Sequence, residues 1–113
     1  MRYFVVRANF LPRFREAHIK AMERELASEG QSSYVSFLPE DMVKERINHQ
    51  EYNRTLKANG KLMCAGPMTD YGWALFIYTV ESEDEAIGLI EADPFYKCGF
   101  FTDYEKNGWY YRI

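Results

Sequence analysis

Two histidines, His18 and His49, are the side chains of this chain that titrate nearest neutrality. At about 100° per residue, Met42, Glu45, His49, Tyr52 and Leu56 lie along one side of the helix that the surrounding pattern predicts, so His49 is on the face expected to look inward. An imidazole there can donate and accept, which suits a general base; the competing reading is a core histidine satisfied by a backbone carbonyl. His18 falls on the apolar stripe of an earlier helix, as a packing residue or at the edge of that stripe. Glu45, one turn before His49, either tunes it or is a solvated acid of the helix face. Tyr52, Trp73 and Tyr78 either line an aromatic pocket or make core. Gly66-Pro67 either admits a ligand close to the backbone or turns the end of a strand.

Other chemistries lack their residues. No phosphate loop, nucleophile elbow, zinc pattern or dinucleotide fingerprint is present, so neither a metal nor a cofactor is expected. The net charge of −3 argues against a nucleic-acid surface, and the basic stretches near Arg13–Arg15 and Arg54–Lys57 are diluted by acids. No run approaches the roughly 18–20 apolar residues that span a bilayer. The segment MRYFVVRANF is too interrupted for a secretory signal. Cys64 and Cys98 lie far apart without a partner motif and read as reduced, semi-buried thiols, which points to a cytoplasmic protein.

The elements that must position these residues follow from periodicity. With 47% hydrophobic and 17% aromatic residues in 113, the chain has material for one folded domain over 1–113. Residues 2–10 alternate as a strand. A helix follows from Pro12, with Phe14, Ala17, Ala21 and Met22 at helical spacing and Gly30 as its stop. Residues 34–38 read as a short strand or an extended connection. A second helix opens at Pro39-Glu40-Asp41, where acids suit the helix dipole, and stops at Asn59-Gly60. Strands at about 61–68 and 72–80 flank a turn at Thr69-Asp70-Tyr71. Ser82-Glu83-Asp84-Glu85 is a capping box for a helix that Pro94 ends. The last strand lies within 100–113, and Asn107-Gly108 signals a tight turn that folds it back as a hairpin.

This order predicts an α+β fold: a ferredoxin-like βαββαβ antiparallel sheet with an extra N-terminal helix. The strand at 72–80 is apolar on both faces, with Trp73, Leu75 and Ile77 on one and Ala74, Phe76, Tyr78 and Val80 on the other. Helices can cover only one, so the other calls for a second copy of the chain packed sheet to sheet, unless the extra helix or the tail covers it.

Several of these residues resemble the YCII-related family. They are a histidine on the first main helix, Asn59-Gly60-Lys61-Leu62 leading into Ala65-Gly66-Pro67-Met68, and then the run from Ala92-Asp93-Pro94-Phe95-Tyr96 through Lys97-Cys98-Gly99-Phe100-Phe101. The resemblance implies a dimeric α+β barrel, with residues 11–38 as an insertion that reshapes or caps the site. It also implies an active site of a histidine and an aspartate, at His49 and Asp93 here. Asp93 would accept the imidazole N–H, fix its tautomer and stabilise the imidazolium; by itself Asp-Pro is ordinary turn chemistry. The expectation is a small cofactor-independent enzyme that moves a proton, as an isomerase or lyase, on a small cyclic or aromatic molecule. Tyr52, Gly66, Pro67, Trp73 and Phe95 are the expected substrate contacts. The alternatives are a non-catalytic small-molecule-binding or assembly module, and a monooxygenase of the same barrel fold.

Overall fold

The computed structural model describes residues 2–113. Strand β1 (Arg2–Phe10) buries Phe4, Val6, Ala8 and Phe10 on one face, the alternation its sequence dictates. Helix α1 (Pro12–Ala27) starts on a proline that needs no N–H at that position and buries Phe14, His18 and Ala21. Helix α2 (Glu40–Ala58) opens on Glu40 and Asp41 and ends at Asn59-Gly60, where Gly60 takes a positive φ of 76°. Strands β2 (Leu62–Pro67) and β3 (Trp73–Val80) follow. In helix α3 (Glu83–Glu91) the Ser82 hydroxyl accepts the Glu85 N–H as its cap. Helix α4 (Pro94–Lys97) is a single turn, and β4 (Phe101–Trp109) closes the sheet.

The strands pair in the antiparallel order β2-β3-β1-β4, with β1 and β3 in the centre. This is the ferredoxin-like α+β arrangement expected from the element order. The helices cover the face carrying Phe4, Val6, Phe76, Tyr78 and Val80. The opposite face carries Tyr3, Val5, Trp73, Leu75 and Ile77, each only partly buried.

Three local expectations fail. Residues 34–37 form a 3₁₀ turn rather than a strand, because two serines bond the local backbone: Ser33 Oγ accepts from Val35 N, and Ser36 Oγ donates to Ser33 O at 2.7 Å. Asn107-Gly108 makes no hairpin. These two residues pair with Val5 and Phe4, and nine residues of β1 offer a ladder that outweighs a local turn preference. Cys64 and Cys98 are free, as expected, but exposed rather than semi-buried, since Cys64 lies on edge strand β2 and Cys98 ends the single turn α4.

Candidate active site

Two elements meet at His49. It sits midway along α2, and its Nδ1 lies 2.7 Å from Oδ1 of Asp93, the residue just before α4. Asp93 is fully buried, whereas a fifth of the His49 side chain is exposed. The local sequence explains the carboxylate's position. Pro94 prevents α3 from running on, and Asp93 caps the new turn by accepting the Phe95 N–H at 2.9 Å. A lone buried carboxylate is costly, yet this one accepts three hydrogen bonds. The third comes from Asn53 Nδ2 to Oδ2 at 2.8 Å.

Donor accounting sets the tautomer. A carboxylate only accepts, so Nδ1 of His49 carries the hydrogen and the lone pair is left on Nε2. Asn53 spends its two amide hydrogens on Asp93 and on the His49 carbonyl at 2.9 Å, so its 3.2 Å approach to Nδ1 is a contact and not a bond. The imidazole plane is held as well. It stacks on Phe95 at 3.9 Å and 5°, with Phe76 and Phe101 edge-on at 6.2 and 6.0 Å.

His49 opens onto a cavity of about 470 Å³ bounded by α1, α2, β2, the β3 start and Phe95. Gly66, Pro67 and Phe95 line it, in keeping with their expected place. Trp73 does not. As the odd member of the β3 alternation it lies on the opposite sheet face, under the guanidinium of Arg7 at 4.4 Å. Tyr52 does not either; its hydroxyl donates to Leu89 O at 2.7 Å and joins α2 to α3, and burial, with Asp93 nearby, pushes its pKa up to about 12. Glu45 is half-buried outside the cavity wall.

The other end of the cavity holds residues that no site expectation included. His18 from α1 is 2% exposed and lines the cavity with Tyr34, Tyr71 and Arg46. Its Nδ1 lies 3.3 Å from the Phe14 carbonyl. Burial pushes its pKa down to about 4, and Arg46 works in the same direction against the Phe14 carbonyl. Burial raises Tyr34 and Tyr71. Among the described residues no group of three or more His, Cys, Asp or Glu side chains is placed to hold a metal ion.

The YCII-related domain model matches residues 28–109, most of the chain. The chain belongs to the YCII-related domain family. A solved structure similar to it is the 5-chloro-2-hydroxyhydroquinone dehydrochlorinase TftG from Burkholderia phenoliruptrix AC1100, in complex with 2,5-dihydroxybenzoquinone. The two are 22% identical with a TM-score of 0.59, over 97% of this chain and 95% of that one. At that identity the likeness concerns the fold. No curated protein matches the chain significantly.

Within this YCII-related fold, Asn53 is the residue that sequence reasoning missed. It follows His49 by four positions, hence on the same inward stripe, and a polar residue there was a readable signal. The cluster around His18 had a weaker one: the resemblance put residues 11–38 at the site as a cap, but nothing in the sequence said which of their side chains reach the cavity.

Proposed function

We propose that this chain is a small cofactor-independent enzyme that transfers a proton on a small ring compound, with His49 as base and Asp93 as the group that orients and stabilises it. The 2.7 Å pair between His49 Nδ1 and the buried Asp93 carboxylate carries this reading. It leaves Nε2 as the proton acceptor on a ring that lines the cavity, and it lowers the energy of the imidazolium formed when the proton arrives. A cavity of about 470 Å³, walled by Phe10, Phe76 and Phe95, is of a size and character for one aromatic ring with substituents. An elimination fits these parts: the base takes a proton from the ring compound and an anion such as chloride leaves from it. Gly66 and Pro67 would border the bound ring from β2.

A homodimer belongs to the same reading. The sheet face of Val5, Leu75 and Ile77 is only partly buried, and Trp109, Tyr111 and Ile113 are exposed at the chain's end. A second copy packed on that face would complete an α+β barrel. The free, exposed Cys64 and Cys98 suit a reducing cytoplasmic setting; among the described residues no helix is long and apolar enough to cross a membrane.

The test is anaerobic turnover of hydroxylated rings, beginning with 5-chloro-2-hydroxyhydroquinone. Chloride release and deuterium uptake from D₂O are followed for the wild type and for His49→Asn. The expected result is turnover that falls by about 10²-fold or more in the variant. Equal rates in the two proteins would remove His49 from the chemistry, and tight ring binding with no turnover in either would make the chain a binding module.

A further inference from the structure

The half of the cavity away from Asp93 is built for recognition. Its central group is His18, 98% of whose surface is out of solvent although its imidazole keeps one nitrogen unpartnered. A carbonyl only accepts, so the 3.3 Å contact with Phe14 O puts the hydrogen on Nδ1 and leaves Nε2 with an open lone pair in the cavity wall. Burial and Arg46 both hold this ring neutral, as an acceptor rather than a donor. A chain of ring contacts ties it to the other histidine: His18 tilted on Phe14 at 4.1 Å, Phe14 edge-on to Phe95 at 5.0 Å, and Phe95 stacked on His49 at 3.9 Å.

The charged groups of the wall have one sign. Arg46, Arg54 and Lys57 line the cavity, and no Asp or Glu is among its lining residues, although the whole chain carries a net −3. Arg46 is the cation nearest His18 in effect. Its guanidinium lies 5.0 Å over the Tyr34 ring, and Tyr34 in turn lies 5.8 Å from His18. Among the described residues no carboxylate lies within ion-pair distance of Arg46. The amide oxygen of Gln50, in the orientation that satisfies both groups, accepts from its Nη1 and Nη2 at 3.2 and 3.0 Å and steadies it. Glu25 acts on Tyr34 and Tyr71 from a distance and does not line the cavity.

We propose that the cavity selects a small ring compound bearing both an anionic oxygen group, held by Arg46, and a hydroxyl that donates to Nε2 of His18. The substrate class is then a hydroxylated aromatic acid or a ring of equivalent charge. The guanidinium takes a planar carboxylate side-on, and a neutral imidazole accepts where a cationic one could not. The inference rests on the proposed function only in placing the substrate in the same cavity.

The probes are the three hydroxybenzoate isomers, with benzoate and phenol as controls, and the readout is affinity by calorimetry. At least one isomer is expected to bind about tenfold or more tighter than either control. Arg46→Gln should erase its advantage over phenol, and His18→Phe its advantage over benzoate. A wild-type measurement guards against a variant that misfolds. The ¹⁵N signal of His18 Nε2 should move when the favoured hydroxybenzoate is added and stay in place with benzoate. Equal affinities across the set, absence of binding at millimolar concentration, or a still Nε2 signal would each overturn the proposal. Because binding is read without turnover, a chain that binds as stated yet turns nothing over would sink only the catalytic reading.

Discussion

The two histidines line one cavity from two helices, and their settings are opposite. His49 meets a buried carboxylate at 2.7 Å, whereas His18 meets only the Phe14 carbonyl and lies within the influence of Arg46. A carboxylate stabilises the charged imidazole, while burial beside a guanidinium penalises it. One cavity therefore holds an imidazole hydrogen-bonded to a carboxylate and another kept neutral by burial. Burial alone does not assign a role to a histidine; its partner does.

The comparison breaks most visibly if the carboxylate is neutralised. In Asp93→Asn either orientation of the new amide sets its NH₂ against a donor, the Asn53 amide on one side or the Phe95 N–H and Nδ1 on the other. More importantly, the imidazolium loses its counter-charge. Turnover should fall by about 10²–10⁴-fold in kcat/KM, matching His49→Asn. A fall smaller than tenfold would make the pair structural.

Asp93→Ala separates stability from chemistry. It removes the cap of α4 and leaves Asn53 and His49 facing an empty site, so unfolding in urea should show a loss of about 3 kcal/mol. Stability unchanged within about 0.5 kcal/mol would show that these bonds do no more than offset the cost of burying the carboxylate.

The His18 side of the comparison is read by acid. Its folded pKa of about 4 lies below the unfolded value of 6.5, so the unfolded chain takes up the proton first. Its contribution is intact above about pH 6.5, declines as the pH falls, and is lost by about pH 4, a span worth up to about 3 kcal/mol. Denaturation at several pH values should show this slope in the wild type and a shallower one in His18→Phe. Identical slopes would mean that His18 is solvated. In turnover the same variant should raise KM by about tenfold with kcat held, the pattern of lost uniform binding.

The smallest effect sharpens the boundary of the site. Tyr52→Phe removes the 2.7 Å bond to Leu89 O and should cost about 1 kcal/mol of stability with turnover unchanged. A selective fall in kcat would bring Tyr52 back into the chemistry.

Much of this was legible in the sequence, for identifiable reasons. Strand β1, helix α2 with its Asn-Gly stop, the Ser82 cap and the break at Pro94 are set by side chains acting on their own backbone within a few residues. Helical spacing likewise put His49 on the inward stripe and could have put Asn53 beside it. Local rules misled at Asn107-Gly108, drawn straight by β1; at Trp73, expected as a substrate contact, strand parity was readable but not which face of the sheet the helices cover.

The sequence by itself determined the elements, their order and which stripe of each is apolar, because those depend on periodicity and local sterics. The pairing of His49 with Asp93, 44 positions on, was implied by the family resemblance, but only the tertiary structure set its 2.7 Å geometry, brought Asn53 to the same carboxylate and delivered His18 from α1 to the same cavity. Pairing across such a separation depends on how the helices pack on the sheet. That packing is fixed by the summed burial of many side chains and is written in no single stretch of the chain.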